Sequence, residues 1–400
     1  MRGLMAIDFQ QVREQVKQLG EQAPLRERAL DALRRRAREL LDGQAHAIEA
    51  LRQKVDLVAR SYEPGLRCAL PASEPLNTCV SLPGLPNQAT LLAADGSQIN
   101  LDRHAEVEFG LINVGAIQMR HASPEPPRTT VTSRLLYHDD LYTAAGTLSE
   151  AALALRRDLV ERSLLADLAS ASPPPVIAIS DGPLELWGSK EAGGEATQEY
   201  QQTLQGYLRA LDRLCQLNVT AAGYVDKPGA NLVVRLLEVA QARQEDLEGI
   251  KDYHPLRGVT DRDLFLPLLE TGERSAVFAI RSQSAKLYPG QLALHFFYLN
   301  VGRAGHPWLA RVEVPAWVTV SPNMVDGLHA MLVEQCRIMG ARPYPYLLHR
   351  AHETARVGLQ EKDQVTQMIA NELLARGLAP AGKSHKQAAK DLGGRTGYRQ

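Results

Sequence analysis

Four hundred residues are enough for two or three structural units and a large buried core, and an apolar fraction of 44% with a charged fraction of 23% is ordinary for a soluble globular chain. A formal net charge of -1 excludes a protein that grips nucleic acid by bulk positive charge alone. Four scattered cysteines (Cys68, Cys79, Cys215, Cys336) with no CxxC pair exclude a zinc knuckle or disulfide framework and fit a reducing cytoplasm, and no run reaches the ~18 apolar residues of a membrane helix.

The start, MRGLMAIDFQ, turns polar too early for a secretory signal. Residues 1–60 read as a helical arm, with Leu, Val and Ile at helical spacing among Arg, Glu and Gln from residue 8, and a break expected at Gln22–Pro24. Such a charged helical hairpin serves packing or partner binding. Residues 61–88, rich in Pro, Gly, Ser and Asn, read as a linker. ATLLAADGS predicts a buried strand ending at Asp95, AEVEFGLINVGAI (105–117) a second strand and RTTVTSRLLYH a third. From Ser149 the pattern turns helical until three prolines stop it, and VIAIS predicts a strand ending at Asp181. Residues 195–250 read as mostly helical around a strand and loop in NVTAAGYVDKPGAN, 275–320 as strands and 322–375 as helical. The main globular domain is expected over 89–375, followed by a basic tail over 376–400 that carries Lys383, Lys386, Lys390, Arg395 and Arg399.

The repeated passage from an apolar run into Asp-Gly places Asp95 and Asp181 where ligands gather on an open sheet. Two adjacent carboxylates repel, so a compensating cation or a retained proton is needed, and hard oxygen donors suit Mg²⁺ or Mn²⁺. Glu161 shares a helical stripe with Leu164, Leu165 and Leu168 and supplies a third carboxylate; its bland alternative is an ion pair with Arg157. Asp226, Asp261 and Asp263 read as solvated loop carboxylates. Near the end, Tyr344, His349, His352, Glu353 and Arg356 crowd onto and before one helix, where a histidine can handle protons or bind metal. Their H-x-x-H-E order does not fit a zinc protease. GLAPAGKS (377–384) matches the P-loop pattern but follows a helix rather than a strand, so it is read as no nucleotide site.

Taken together, strand-DGS, the helix with Glu161, strand-DGPL and the late YPYLLHRAHE resemble the NurA nucleases, as do DRDLFLPLLETGERSAVF, LHFFYLNVG and VEVPAWV. The resemblance spans roughly 88–375. It implies an α/β fold, a ribonuclease H-like mixed sheet flanked by helices, with the N-terminal helical arm as an addition. It also implies a metal-dependent DNA nuclease, a 5′-to-3′ exonuclease and single-strand endonuclease using Mn²⁺ or Mg²⁺. Such a nuclease acts as a homodimer with a HerA-type hexameric translocase in DNA end resection and double-strand break repair. The family's metal-binding carboxylates fall on Asp95, Glu161 and Asp181, and its late tyrosine and histidine on Tyr344 and His352. Glu150, Tyr346 and His349 compete for the last three of these alignments other than the aspartates. Two other readings stand beside it: a non-catalytic DNA-binding or scaffold subunit that regulates a translocase, and a phosphatase or phosphodiesterase acting on small molecules.

Overall fold

A computed structural model of the chain describes residues 7–102, 107–143, 146–187 and 195–378. In chain order, α1 (Phe9–Gly43) and α2 (Ile48–Ser61) precede two short strands, β1 (Cys68–Pro71) and β2 (Cys79–Val80). Longer strands follow, β3 (Ala89–Ile99), β4 (Gly110–His121) and β5 (Arg128–Leu136), then the small pair β6 (Tyr142–Thr143) and β7 (Gly146–Thr147). Helix α3 (Glu150–Ser170) leads to β8 (Val176–Asp181), and α4 (Glu195–Gln216) leads to β9 (Thr220–Val225). Helices α5 (Leu232–Gln241) and α6 (Asp261–Phe265) come before β10 (Arg274–Ser275), β11 (Phe278–Arg281), β12 (Leu294–Asn300) and β13 (Leu309–Pro315). The chain then turns helical in α7 (Ala316–Thr319), α8 (Pro322–Ile338), α9 (Tyr346–Ala355) and α10 (Leu359–Ala375).

These elements fall into two compact units. Unit 1 comprises Met1–Ser81, Lys227–Leu287 and His295–Arg311, and unit 2 comprises Leu82–Asp226, Tyr288–Leu294 and Val312–Gln400. The tail beyond residue 378, with most of GLAPAGKS, lies outside the described residues, as do 103–106 at the expected start of the second strand.

Unit 1 is organised around α5, whose apolar run LVVRLLEV is buried and packs against α1, α2, α6 and β1. The segment 61–88 contributes β1, antiparallel to β11, and β2, antiparallel to β10. The first-turn amides of α5 are capped from far along the chain: Asp261 accepts from Val233 N at 3.0 Å and Val234 N at 2.8 Å, and from Tyr298 Oη at 2.7 Å. At the other end of α5, Lys54 Nζ donates to the carbonyls of Ala240 at 2.7 Å and Ala242 at 2.6 Å. Asp261 is therefore fully buried structure, not the solvated loop carboxylate its surroundings in sequence suggested. Asp263 is also tied in, accepting from Thr260 Oγ1 at 2.8 Å and from Arg34 Nε at 2.9 Å. The expected break at Gln22–Pro24 does not occur. α1 runs through Pro24 and the chain breaks instead at Gln44–Ala47, because the Gly20 carbonyl that loses its partner at Pro24 remains in water.

Unit 2 holds a mixed sheet in which β4 is central to an antiparallel run, β3–β4–β5, while β8 lies parallel to β3 and β9 parallel to β8. The order β5-β4-β3-β8-β9 is that of a ribonuclease H-like core. Strand β3 is buried on both faces along ATLLAA because α3 covers one face and α9 the other. Truncating a side chain such as Leu91 or Leu92, both fully buried, to Ala would cost about 2–5 kcal/mol. Helix α3 starts where Ser149 Oγ accepts from Ala152 N at 3.1 Å. Helix α9 has no side-chain cap of its own, and Gln335 of α8 accepts from its Leu347 amide at 3.1 Å instead. One expectation is corrected here. β3 does not end at Asp95 but continues to Ile99, since β4 pairs with it along its whole length, Asp95 opposite Gly115 and Ile99 opposite Leu111.

Candidate active site

The parallel pairing of β3 with β8 ends at Ala94 opposite Ser180. Asp95 and Asp181 are the next residues on the two strands, whose backbones lie about 4.8 Å apart, and in-register residues of parallel neighbours face the same side. Two carboxylates distant in sequence are thus neighbours. Beyond this point β8 is finished, Gly182 turning away with a φ of +80°, and the sheet opens beside Asp95.

Strand alternation sends Asp95, Ser97 and Asn113 towards α9, and Gly96 towards α3. The end of α9 is fastened on its side by Ser97 Oγ and Asn113 Nδ2, which both donate to the Ala355 carbonyl, at 2.6 and 2.7 Å. Ser133 Oγ holds Asn113 in turn by donating to its Oδ1 at 2.6 Å. A Cβ at Gly115 would lie 2.7 Å from the Ala355 amide nitrogen, so glycine there lets the helix settle on the sheet. The result is a fixed His352, whose Nδ1 donates to Asp95 Oδ2 at 2.7 Å while Asp95 Oδ1 accepts from Gly96 N at 2.8 Å. His352 is otherwise exposed, which leaves its Nε2 edge to the solvent side. Asp181 accepts a hydrogen bond from Tyr344, whose ring packs edge-on against the buried Tyr224 with centroids 5.7 Å apart.

Glu161 arrives from the opposite face, on α3. A Cβ at Gly96 would collide with Glu161 Oε1 and come within 2.7 Å of Arg157 Cγ. The glycine of the first Asp-Gly pair is therefore a clearance for this carboxylate and not a turn. Arg157 Nε stands 3.2 Å from Glu161 Oε1, an ion pair that is not aligned as a hydrogen bond. Glu161 thus makes the ion pair with Arg157 and also lines the cleft beside Asp95 and Asp181.

Asp95, Glu161 and Asp181 line one cleft of about 310 Å³, together with Arg157, Asp158, Arg162, Glu185 and the rim residue Trp187. Five acidic side chains face two arginines there. The excess of negative charge is visible in the titration of its members. Glu161 is pushed up to about 8, first by burial and then by Asp158 and Asp95, against the pull of Arg157 and Arg162. Asp181, though solvent-exposed, is raised by desolvation and by Asp95, with the Tyr344 hydrogen bond and His352 opposing. Tyr344 is raised far above the usual phenol range by burial and by Asp181, so it stays a donor.

The residues that competed in the alignments lie in different places. Glu150 sits exposed in the first turn of α3, eleven residues and so roughly 16 Å along the helix from Glu161. His349 pairs with Glu353 at 3.5 Å and not with Asp95, and it is Tyr344, ahead of α9, that bonds Asp181. Asp226 is exposed at the end of β9. Sequence reasoning passed over Arg162, which is buried, donates to Ser180 Oγ at 2.6 Å and lies 5.1 Å from the Tyr207 ring centroid. A charged residue one step after Glu161 on a buried helix was its available signal.

This donor set suits a hard divalent cation: carboxylate oxygens in excess, an adjacent histidine, and a glutamate whose pKa is raised by burial and by its acidic neighbours. Among the described residues no three His, Cys, Asp or Glu side chains are already closed around a metal-sized point.

Among solved structures, the NurA nuclease from Sulfolobus solfataricus is similar at 11% identity and a TM-score of 0.46, over 85% of this chain and 98% of that one. The catalytic domain of human Endonuclease V is similar at 14% identity and a TM-score of 0.28, over 80% and 98%. Drosophila Piwi follows at 10% identity and a TM-score of 0.29, over 66% and 29%. No curated protein matches the chain. The NurA domain model matches residues 89–357, about two thirds of the sequence including Asp95, Glu161, Asp181, Tyr344 and His352, and the chain belongs to the NurA domain family.

Proposed function

We propose that this chain is a metal-dependent deoxyribonuclease that hydrolyses phosphodiester bonds at the cleft between β3, β8 and α3. The observation that carries the reading is the strand register, which sets Asp95 beside Asp181 and opens the sheet to Glu161. Membership of the NurA domain family supports the same chemistry.

Asp95, Glu161, Asp181 and His352 would hold Mn²⁺ or Mg²⁺, and the bound ion would supply charge stabilisation at the phosphate and a lowered pKa for the attacking water. The chain's own groups do the rest. Asp95 orients His352 through Nδ1 and leaves Nε2 for one of two roles: to complete the shell of the ion or, in place of that, to take a proton from water and return one to the leaving oxygen. Tyr344 donates to Asp181 and so opposes the upward push that burial and Asp95 exert on its pKa. Arg157 and Arg162 offset part of the acidic charge and can meet phosphate oxygens as they enter.

In this reading the substrate is DNA, cut as a 5′-to-3′ exonuclease and as a single-strand endonuclease. The working form is a homodimer coupled to a HerA-type hexameric translocase during end resection. A chain charge of -1 is consistent with that division of labour, since a translocase supplies grip on the backbone. No described helix is long and apolar enough to cross a membrane.

The test is cleavage of end-labelled single-stranded DNA with Mn²⁺, with and without a translocase. Wild type cuts, and Asp95→Ala does not cut while keeping its fold by circular dichroism. Full activity in Asp95→Ala, or the absence of metal-dependent cleavage in both mixtures, would favour the scaffold reading instead.

A further inference from the structure

The segment that follows β8 forms one wall of the cleft and is braced from several elements of unit 2. Gly182 N donates to the Tyr224 carbonyl at 2.8 Å, Leu184 N to Glu313 Oε2 at 2.9 Å and Leu186 N to Tyr288 Oη at 2.7 Å. Tyr207 Oη donates to the Leu184 carbonyl at 2.8 Å and Tyr200 Oη to the Leu186 carbonyl at 3.2 Å. Glu313, Tyr207 and Tyr288 are themselves buried, as are Leu184 and Leu186. A Cβ at Gly223 would lie 2.6 Å from the Gly182 carbonyl oxygen, so glycine in β9 lets the segment rest directly on that strand. A path pinned at 182, 184 and 186 is held still.

Trp187 is the next residue, and it is 50% exposed. A single exposed apolar side chain is ordinary on a protein surface. Trp187 is set apart by its place: it lines the cleft of Asp95, Glu161 and Asp181, and with Pro183 and Leu186 it gives that cleft an apolar wall. A divalent ion held by oxygen donors needs no indole, and a phosphate gains nothing from the negative face of one. A nucleobase does gain, because every base has a π-face that stacks on an aromatic ring. Charge alone is a poor grip here, since five acidic side chains face two arginines and the incoming strand is itself an anion.

We propose that Trp187 stacks on a nucleobase beside the scissile phosphate and thereby restricts the cleft to unpaired strands, with no choice among the four bases. A base lying on the indole has left its neighbours in the stack and its partner in the pair, a cost that a duplex bears and a single strand largely escapes. The dimensions agree. About 310 Å³ lies at the bottom of the roughly 300–1,000 Å³ range of sites that enclose small ligands, which suits one nucleotide and not a duplex. The brace makes the indole a preformed surface, so little ordering is lost when a base arrives. This role rests on the nuclease reading above and deepens it by naming the residue that selects the strand.

The test is steady-state cleavage of an end-labelled single-stranded oligonucleotide with Mn²⁺ by wild type, Trp187→Ala, Trp187→Leu and Trp187→Phe. We expect Trp187→Ala and Trp187→Leu to raise KM roughly 10–100-fold with kcat altered less than about threefold, and Trp187→Phe to recover most of the loss. Leucine restores apolar bulk without a ring face, so recovery by leucine as full as by phenylalanine would mark a packing role and overturn the stacking. An abasic nucleotide placed in turn on each side of the scissile bond should cost wild type a similar factor at one position and cost Trp187→Ala nothing further there. An unchanged KM in Trp187→Ala, or equal abasic losses in both proteins, overturns the stacking and leaves the nuclease reading standing. Binding is read apart from cleavage by tryptophan fluorescence with a short oligothymidylate and Mg²⁺, where wild type should be quenched and Trp187→Phe should not. Quenching in a wild type that does not cut keeps the stacking surface and overturns the nuclease reading; neither quenching nor cleavage overturns both.

Discussion

Asp261 in unit 1 and Glu161 in unit 2 are both buried carboxylates, and the fold treats them in opposite ways. Asp261 receives three donors, two helix amides and a tyrosine hydroxyl, and these with Arg311 hold its pKa at about 6 against full burial. Glu161 has one poorly aligned arginine, stands in the field of Asp158 and Asp95, and rises to about 8. A carboxylate that closes a helix end is given its donors within the chain. One left short of donors beside two aspartates has its pKa driven up instead, and in the proposed function a cation from outside makes up the shortfall.

The contrast can be broken by substitution. The largest effect expected is on catalysis: Asp95→Asn should lower Mn²⁺-dependent cleavage by about 10³-fold, measured as single-turnover rates, while shifting stability by less than about 1 kcal/mol. Next comes Asp261→Ala, which strands buried donors and should cost about 3 kcal/mol in denaturant unfolding, with cleavage per folded molecule unchanged. An Asp261→Ala protein as stable as wild type would remove the distinction between the two carboxylates.

Glu161→Gln sharpens it, because function and stability should move apart. Between about 4.5, its ordinary value, and about 8, its folded value, Glu161 keeps in the folded protein a proton the unfolded chain has lost. Folding there takes up a proton, so metal-free stability falls as pH rises through that window, by at most about 1.4 kcal/mol per pH unit from this group. Glu161→Gln should flatten that slope and stabilise the metal-free protein by about 1–2 kcal/mol at pH 8, while cutting about 100-fold more slowly. Chemical denaturation at pH 5, 6.5 and 8 without metal reads the slope. The smallest effect is at Tyr344→Phe. Losing its hydrogen bond lets the Asp181 pKa rise further, so the acid limb of the pH–rate profile should move to higher pH with roughly a 5–10-fold loss near neutrality.

Much of unit 2 could be read from the chain itself, because its signals are local. An apolar run ending in Asp-Gly marks the end of β8 at Asp181, and a helical stripe carries Glu161 inward. Asp95 was legible as a neighbour of Asp181 but misread in position: SQI after the Asp-Gly looks like a loop, and only pairing with β4, set by residues twenty positions on, keeps it in the strand. Asp261 was misread for the same reason on a longer scale, since it caps amides 27 and 28 residues earlier. The α1 break was placed at Pro24 because proline usually ends a helix, yet a prolonged exposed helix leaves the freed carbonyl in water. Arg162 carried only a faint signal, a charge one step after Glu161, and its partners Ser180 and Tyr207 come from distant parts of the chain.

Anomalous scattering from crystals grown with Mn²⁺ tests the central claim most directly. The account predicts a peak in the cleft within roughly 2.2 Å of oxygens from Asp95 and Asp181, with Glu161 turned away from Arg157 to join them. Manganese bound elsewhere, with this cleft empty in a protein that still cuts DNA, would contradict it.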